Sequence, residues 1–146
     1  MNSEHIMTSR KEDYDFIDDR IIEYNREQIP FTQEPAFIPL NRIIRSEKGE
    51  IIAGINAMLY CWRCMTIDVL WVKEEYRKKG YGKRLLQEME NIAIEEGCAV
   101  IQLDTFDFQA KDFYLKNGYV VFGELEDCPI GHTRYYMKKN LVLRKL

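Results

Sequence analysis

The chain is 146 residues long, 46% hydrophobic and 31% charged, with 21 Lys and Arg against 24 Asp and Glu for a formal net charge of −3. That balance supports a buried core and excludes the disordered class, and the longest apolar run is far too short to span a bilayer. The overall acidity and the small basic patch argue against a nucleic-acid partner.

Near Met1 no basic stretch leads into an apolar segment with a small-residue cleavage site, so no secretory signal is expected and the address is cytoplasmic. Residues 1–146 are read as a single domain. Residues 13–28, DYDFIDDRIIEYNREQ, place Phe16, Ile17, Ile21 and Tyr24 near helical spacing and predict an amphipathic helix. Pro30, Pro35 and Pro39 then exclude a second long helix, so residues 31–38 are expected to be an aromatic loop or to hold one short helix. Two apolar segments around Glu47, Lys48, Gly49 and Glu50 predict an antiparallel pair. CMTIDVLWV continues as a third, more buried strand, with Cys61 and Cys64 flanking Trp62 and Arg63 at a hairpin corner.

From Gly82 the period changes: Leu85, Met89, Ile92 and Ala93 recur at helical spacing and Gly97 supplies a stop, which predicts a helix of about four turns. CAVIQLDT follows as a buried strand. QAKDFYLKNG reads as a short helix closed by Asn117 and Gly118. YVVFGEL, a loop with Pro129 and Gly131, and a last strand RYYMKKNLVL complete the chain. This order predicts an α/β (α+β) fold with a mixed, mostly antiparallel sheet flanked by helices.

Cys61, Cys64, Cys98 and Cys128 are too sparse for a disulfide scaffold and are expected as reduced, mostly buried thiols. No metal is expected; zinc held by Cys61, Cys64, Cys128 and His132 is the sharper alternative.

The cations concentrate in VKEEYRKKGYGKRLL, six positive charges against two negative at the start of the second helix. Gly80 and Gly82 allow close backbone approach where helix amides are unpaired. Lys83 and Arg84 in the first turn, and Glu95 and Glu96 in the last, run against the helix dipole. A polyanionic ligand at the amino end, also facing Arg77, Lys78 and Lys79, accounts for that order; a solvated loop with two turn glycines is the plainer reading. A Walker loop fails because Gly82 and Lys83 are followed by Arg84, and a dinucleotide loop fails because Leu85 stands where its third glycine belongs.

The hexapeptide Arg77-Lys78-Lys79-Gly80-Tyr81-Gly82 resembles the acetyl-CoA loop of the GNAT N-acetyltransferase superfamily, [QR]-x-x-G-x-[GA]. IDVLWV before it resembles the family's strand. Ala110, Phe113, Tyr114, Lys116, Gly118 and Tyr119 resemble its second signature, and PIGHTRYYMKKNL resembles the closing strand of small bacterial members. The likeness covers roughly residues 42–141. It implies acetyl-CoA as co-substrate, with its pyrophosphate on the amides of residues 78–83, including Tyr81. Its pantetheine would lie along the backbone near Leu70 and Val72, its phosphates beside the cations. It implies Tyr114 as general acid to the departing thiolate and a backbone N–H near Leu70 as donor to the tetrahedral oxygen. Asp68 stands where many relatives carry a glutamate that acts directly or through water, and a structural role is the alternative. Asp107 stands where many relatives have an asparagine that bonds the pantetheine. His132 either borders the acceptor site or is incidental. The implied activity is direct acetyl transfer to a primary amine, small and cationic or on a protein, with acyl-CoA sensing without turnover as the alternative. Glu23, Glu27, Glu34, Glu124, Glu126 and Asp127 would attract a cationic acceptor. A homodimer is left open.

Overall fold

A computed structural model describes residues 3–141, which divide into two compact units between Thr32 and Gln33. The first holds α1 (Lys11–Gln28). Asp13 accepts a hydrogen bond from the Arg10 backbone N–H (2.9 Å), and Glu12 and Asp13 occupy the first turn, where the helix dipole favours negative charge. Ile17, Ile21 and Tyr24 recur along it at i, i+4 and i+7, the helical spacing of the sequence.

The second unit runs β1 (Phe37–Arg45), β2 (Ile51–Tyr60), β3 (Cys64–Val72), a 3-10 turn at Glu74–Tyr76, α2 (Tyr81–Glu95), β4 (Val100–Phe106), α3 (Lys111–Lys116), β5 (Val120–Glu126) and β6 (Thr133–Asn140). The strands form one six-stranded sheet in the order β1-β2-β3-β4-β6-β5. Only β3 and β4 pair in parallel; α2 is the crossover between them, as a parallel pair requires. The mixed, mostly antiparallel sheet expected from the sequence is present. The expected last strand ends at Asn140, and its remainder past Leu141 lies outside the described residues.

One boundary differs. Residues 31–38 are not wholly a loop, because β1 begins at Phe37 and carries Pro39 within it. A proline excludes a helix interior but is tolerated at the sheet edge, where β1 lies. The irregular stretch before it is fastened by Gln33, which is buried. Its Nε2 donates to the carbonyls of Pro35, Ala36 and Leu59 (3.1, 3.2 and 3.1 Å), and its Oε1 accepts from the Arg63 N–H (3.1 Å). That ties the segment to the β2–β3 corner, where Cys61 and Arg63 take positive φ without a glycine.

The core lies between one face of the sheet and α2. Ile55, Leu59, Met65, Ile67, Ile101 and Met137 meet Leu85, Leu86, Met89 and Ala93. Each large side chain so buried contributes about 1.5–3 kcal/mol. Gly80 caps α2 in the left-handed conformation and Gly97, at φ 77°, follows its end.

Two carboxylates, one on α2 and one at its carboxyl end, have partners. Glu90 is buried and paired with Lys139 of β6, which also donates to the Asn117 carbonyl (3.0 Å). Arg63 reaches the Glu96 carboxylate (2.7 Å) and carbonyl (3.2 Å). It supplies positive charge where the dipole wants it, so at Glu96 the mismatch is neutralised from within the protein.

All four cysteines are free, Cys61 and Cys98 buried and the other two half-buried. Among the described residues no three His, Cys, Asp or Glu side chains are grouped to hold a metal, so the Cys61, Cys64, Cys128 and His132 set is not assembled. No helix among the described residues is long and apolar enough to cross a membrane.

Candidate functional site

β3 and β4 part company midway. Their pairing stops at Ile67 opposite Leu103, although β3 continues to Val72 and β4 to Phe106. The cause lies on the other side of β3. Val69 pairs with Asn56 and Ile67 with Ala57, so Asp68 is an extra residue without a partner on β2. Such a bulge bends a strand and increases its twist. Beyond it the facing edges of β3 and β4 keep backbone donors and acceptors that no β3–β4 ladder uses, a template for an extended ligand.

This opening leads into a cavity of about 530 Å³. β3 contributes Leu70 and Val72, the loop contributes Arg77, Lys78 and Gly80, the first turn of α2 contributes Tyr81, Gly82 and Lys83, and α3 contributes Tyr114. Nine residues expected at the site from sequence therefore share one cavity. Lys79, Asp68 and Asp107 are not part of its lining.

The loop is shaped for an anion. Lys78 (φ 63°) and Gly80 (φ 88°) are both left-handed, a sequence of conformations that turns successive N–H groups to one side. The first helical hydrogen bond runs from the Arg84 N–H to the Gly80 carbonyl (3.0 Å), leaving the amides of Tyr81, Gly82 and Lys83 open. Arg77 Nε donates to the Val72 carbonyl (3.0 Å) and pins the loop to the end of β3. Lys73 is spent on Glu50 and Glu75. Among the described residues Arg77, Lys78, Lys79, Lys83 and Arg84 form no ion pair with a carboxylate. Gly82 matters by proximity: a Cβ there would lie 3.4 Å from Phe113 Cζ and 3.6 Å from Val72 Cγ2, against the cavity wall.

Tyr114 is buried, its ring edge-on to Phe113 (5.3 Å) and Tyr119 (5.6 Å). Burial first, and then the negative charge of Asp104, push its pKa up to about 12, so the hydroxyl keeps its proton at any working pH. Asp68 is exposed on β3 at the bulge. Asp107 follows β4, with both oxygens engaged: Oδ2 accepts from the Thr133 N–H (2.9 Å) and Oδ1 meets His132 Nδ1 (2.8 Å). The Thr133 amide, and then the His132 ring, hold its carboxyl below the usual aspartate range.

Sequence reasoning passed over several residues here. Tyr76, Phe108 and Gln109 also line the cavity. Tyr76 could have been found, since it directly precedes the loop. Gln109 gave no signal: it accepts from the Phe106 N–H (2.9 Å), and Thr105 Oγ1 accepts from the Ala110 N–H (3.3 Å), so the two shape the turn into α3. Arg134 clasps Asp104 through Nε (3.0 Å) and a second nitrogen (2.9 Å).

Comparison with known proteins bears on the family and the fold. Residues 4–119 match the model of the Acetyltransferase (GNAT) family. Blasticidin-S acetyltransferase from Streptomyces morookaense is 38% identical over 96 residues, which are 65% of this chain and 70% of that protein. The crystal structure of an acetyltransferase from Bacillus cereus ATCC 14579 is 36% identical and superposes with a TM-score of 0.85 over 97% of this chain and 100% of its own. At 17% identity, an aminoglycoside 6'-N-acetyltransferase complexed with coenzyme A shares the fold, with a TM-score of 0.64 over 97% of this chain and 100% of its own.

Proposed function

The chain belongs to the GNAT acetyltransferase family, and from that premise we propose that it carries acetyl from acetyl-CoA directly to the primary amine of a small cationic molecule, both substrates being bound together. Acyl transfer to an amine is the family's chemistry; the binding mode and the acceptor are the proposal. One observation carries it: the unpaired edges of β3 and β4 run into a left-handed loop whose amides are open and whose cations, among the described residues, form no ion pair with a carboxylate. A diphosphate on the amides of residues 78–83, with an extended arm along Leu70 and Val72, satisfies both features at once. Lys79 and the other loop cations would then face the phosphates.

The arm's thioester would lie beside the bulge. A backbone N–H near Leu70 is suited to the oxyanion that develops there, and Tyr114, which lines the same cavity, is assigned to donate to the departing sulfur. An alkylammonium acceptor with pKa about 10.4 is neutral in only about one molecule per few thousand at pH 7. Asp68, exposed at the same bulge, is assigned to hold that ammonium by charge. Asp107, bonded to Thr133 and His132, is assigned to the pantetheine side of the opening.

Blasticidin-S acetyltransferase, a 38% identical relative, is named for blasticidin S, so that compound leads the acceptors to test. The test is release of CoA thiol from acetyl-CoA with blasticidin S, thialysine, an aminoglycoside, spermidine and a lysine peptide. Turnover is expected with at least one of the small amines. Tight acetyl-CoA binding with no thiol release from any of them would instead favour an acyl-CoA sensor.

A further inference from the structure

We infer that His132, oriented by Asp107, is a catalytic base that takes the proton from the acceptor ammonium, a role that rests on the amine-acetylating reading above. Three observations meet at this residue. The Asp107 carboxylate cannot turn away, because Oδ2 is bonded to the Thr133 N–H and the Asp107 N–H is itself bonded to the Thr133 carbonyl (both 2.9 Å). An ionised carboxylate only accepts hydrogen bonds, so at 2.8 Å from Asp107 Oδ1 the Nδ1 of His132 carries the hydrogen. In the neutral ring Nε2 then holds the lone pair, and among the described residues no hydrogen bond engages it. Finally, the imidazole stands edge-on to Phe108 (5.2 Å between centroids), and Phe108 lines the cavity together with Leu70 and Tyr114. His132 does not itself line that cavity; it is half-exposed and packs against Phe108 at the cavity's edge, within reach of an acceptor that enters there.

The chemistry needs such a group. An aspartate can hold an ammonium by charge, whereas an imidazole is the side chain best matched to taking up and passing on a proton near neutral pH. The ammonium gives one proton to Nε2, and its freed lone pair attacks the thioester carbonyl. The carbon–sulfur bond breaks with its electron pair on sulfur. Of the two protons the nitrogen gives up in forming the amide, one is balanced by the proton that makes CoA thiol and the other reaches solvent from the imidazolium. Asp107 stabilises that imidazolium and is a positioning residue. The other charged groups close by are Asp127, whose N–H bonds the His132 carbonyl (2.9 Å), and Arg134 two residues on, already clasped by Asp104.

Steady-state kinetics on the full chain with acetyl-CoA and blasticidin S, or whichever amine of the panel turns over fastest, test this. His132→Gln should lower kcat about 100-fold with the acetyl-CoA Kd and the Tm unchanged. It should also abolish the acid limb of the wild-type kcat/KM profile. Imidazole added to His132→Ala should restore activity about 10-fold, and Asp107→Asn should lose about 10-fold in kcat while keeping the limb. An unaltered limb and kcat in His132→Gln overturn the inference. So does a loss that follows Tm and acetyl-CoA binding and resists imidazole, since the pair would then only fasten the loop. If wild type releases no thiol with any amine, the acceptor reading itself fails, and this role with it.

Discussion

At the level of single residues, Tyr114 shows how burial selects a role. Its hydroxyl holds its proton up to about pH 12, whereas a simple thiolate takes one up near 8.5. Full transfer across about 3.5 units would cost about 5 kcal/mol. Donation of a hydrogen bond to the departing sulfur, with the proton following from solvent, avoids that cost. Tyr114→Phe keeps the ring against Phe113 and Tyr119 and removes only the donor. We expect kcat to fall between about 10- and 100-fold with acetyl-CoA affinity held within about twofold, measured by thiol release and by calorimetric titration. Unchanged turnover would reduce Tyr114 to core packing. Asp68 teaches a related lesson: its identity is plain in the sequence, but its position as the extra residue of a bulge is a property of the pairing with β2.

At the level of elements, α2 does two jobs. Its apolar stripe of Leu85, Leu86, Met89 and Ala93 anchors it to the sheet, which fixes where its open amides stand. The buried Glu90–Lys139 pair adds a second tie, and through the Asn117 carbonyl Lys139 also holds the end of α3. Removing one member of a buried pair strands the other without compensation. Because Lys139 is partly exposed, the cost should be below that of a fully buried pair. Lys139→Met should lower stability by about 2 kcal/mol and Tm by about 4–8 °C, read by thermal unfolding. A Tm within 1 °C of wild type would show that Glu90 finds water or protonates at little cost. Nothing in the neighbours of Glu90 along the chain announces this pair, because its partner is 49 positions away.

For the whole molecule, the distribution of charge matters more than its sum. A chain of net charge −3 places five cations without carboxylate partners around one helix mouth, an arrangement that repels itself until a polyanion arrives. Acetyl-CoA at 100 times its Kd should stabilise the folded state by about 2.7 kcal/mol, a rise of about 5–10 °C in Tm. Gly82→Val should fold, since its Cβ makes only ordinary contacts with Phe113 and Val72, but its methyl groups take up space at the loop. The ligand-induced rise should then shrink below about 1 °C. A full rise in this variant would move the coenzyme out of the cavity.

By itself the sequence determined the kind and order of the elements, the glycine loop and the family likeness. All of these are written in short-range signals: the period of apolar residues, the placement of Gly80, Gly82, Gly97 and Gly118, and a hexapeptide between strand and helix. It read residues 31–38 too simply, because a proline forbids a helix but not an edge strand, and only the sheet order says which strand is the edge. Tertiary structure alone decided where β3 leaves β4, that Asp68 is the bulged residue, and that Asp107 meets His132 across 25 positions of chain. Those are facts of register between distant segments. A one-residue change of register turns every side chain to the opposite face, so such contacts exist only once the strands have paired.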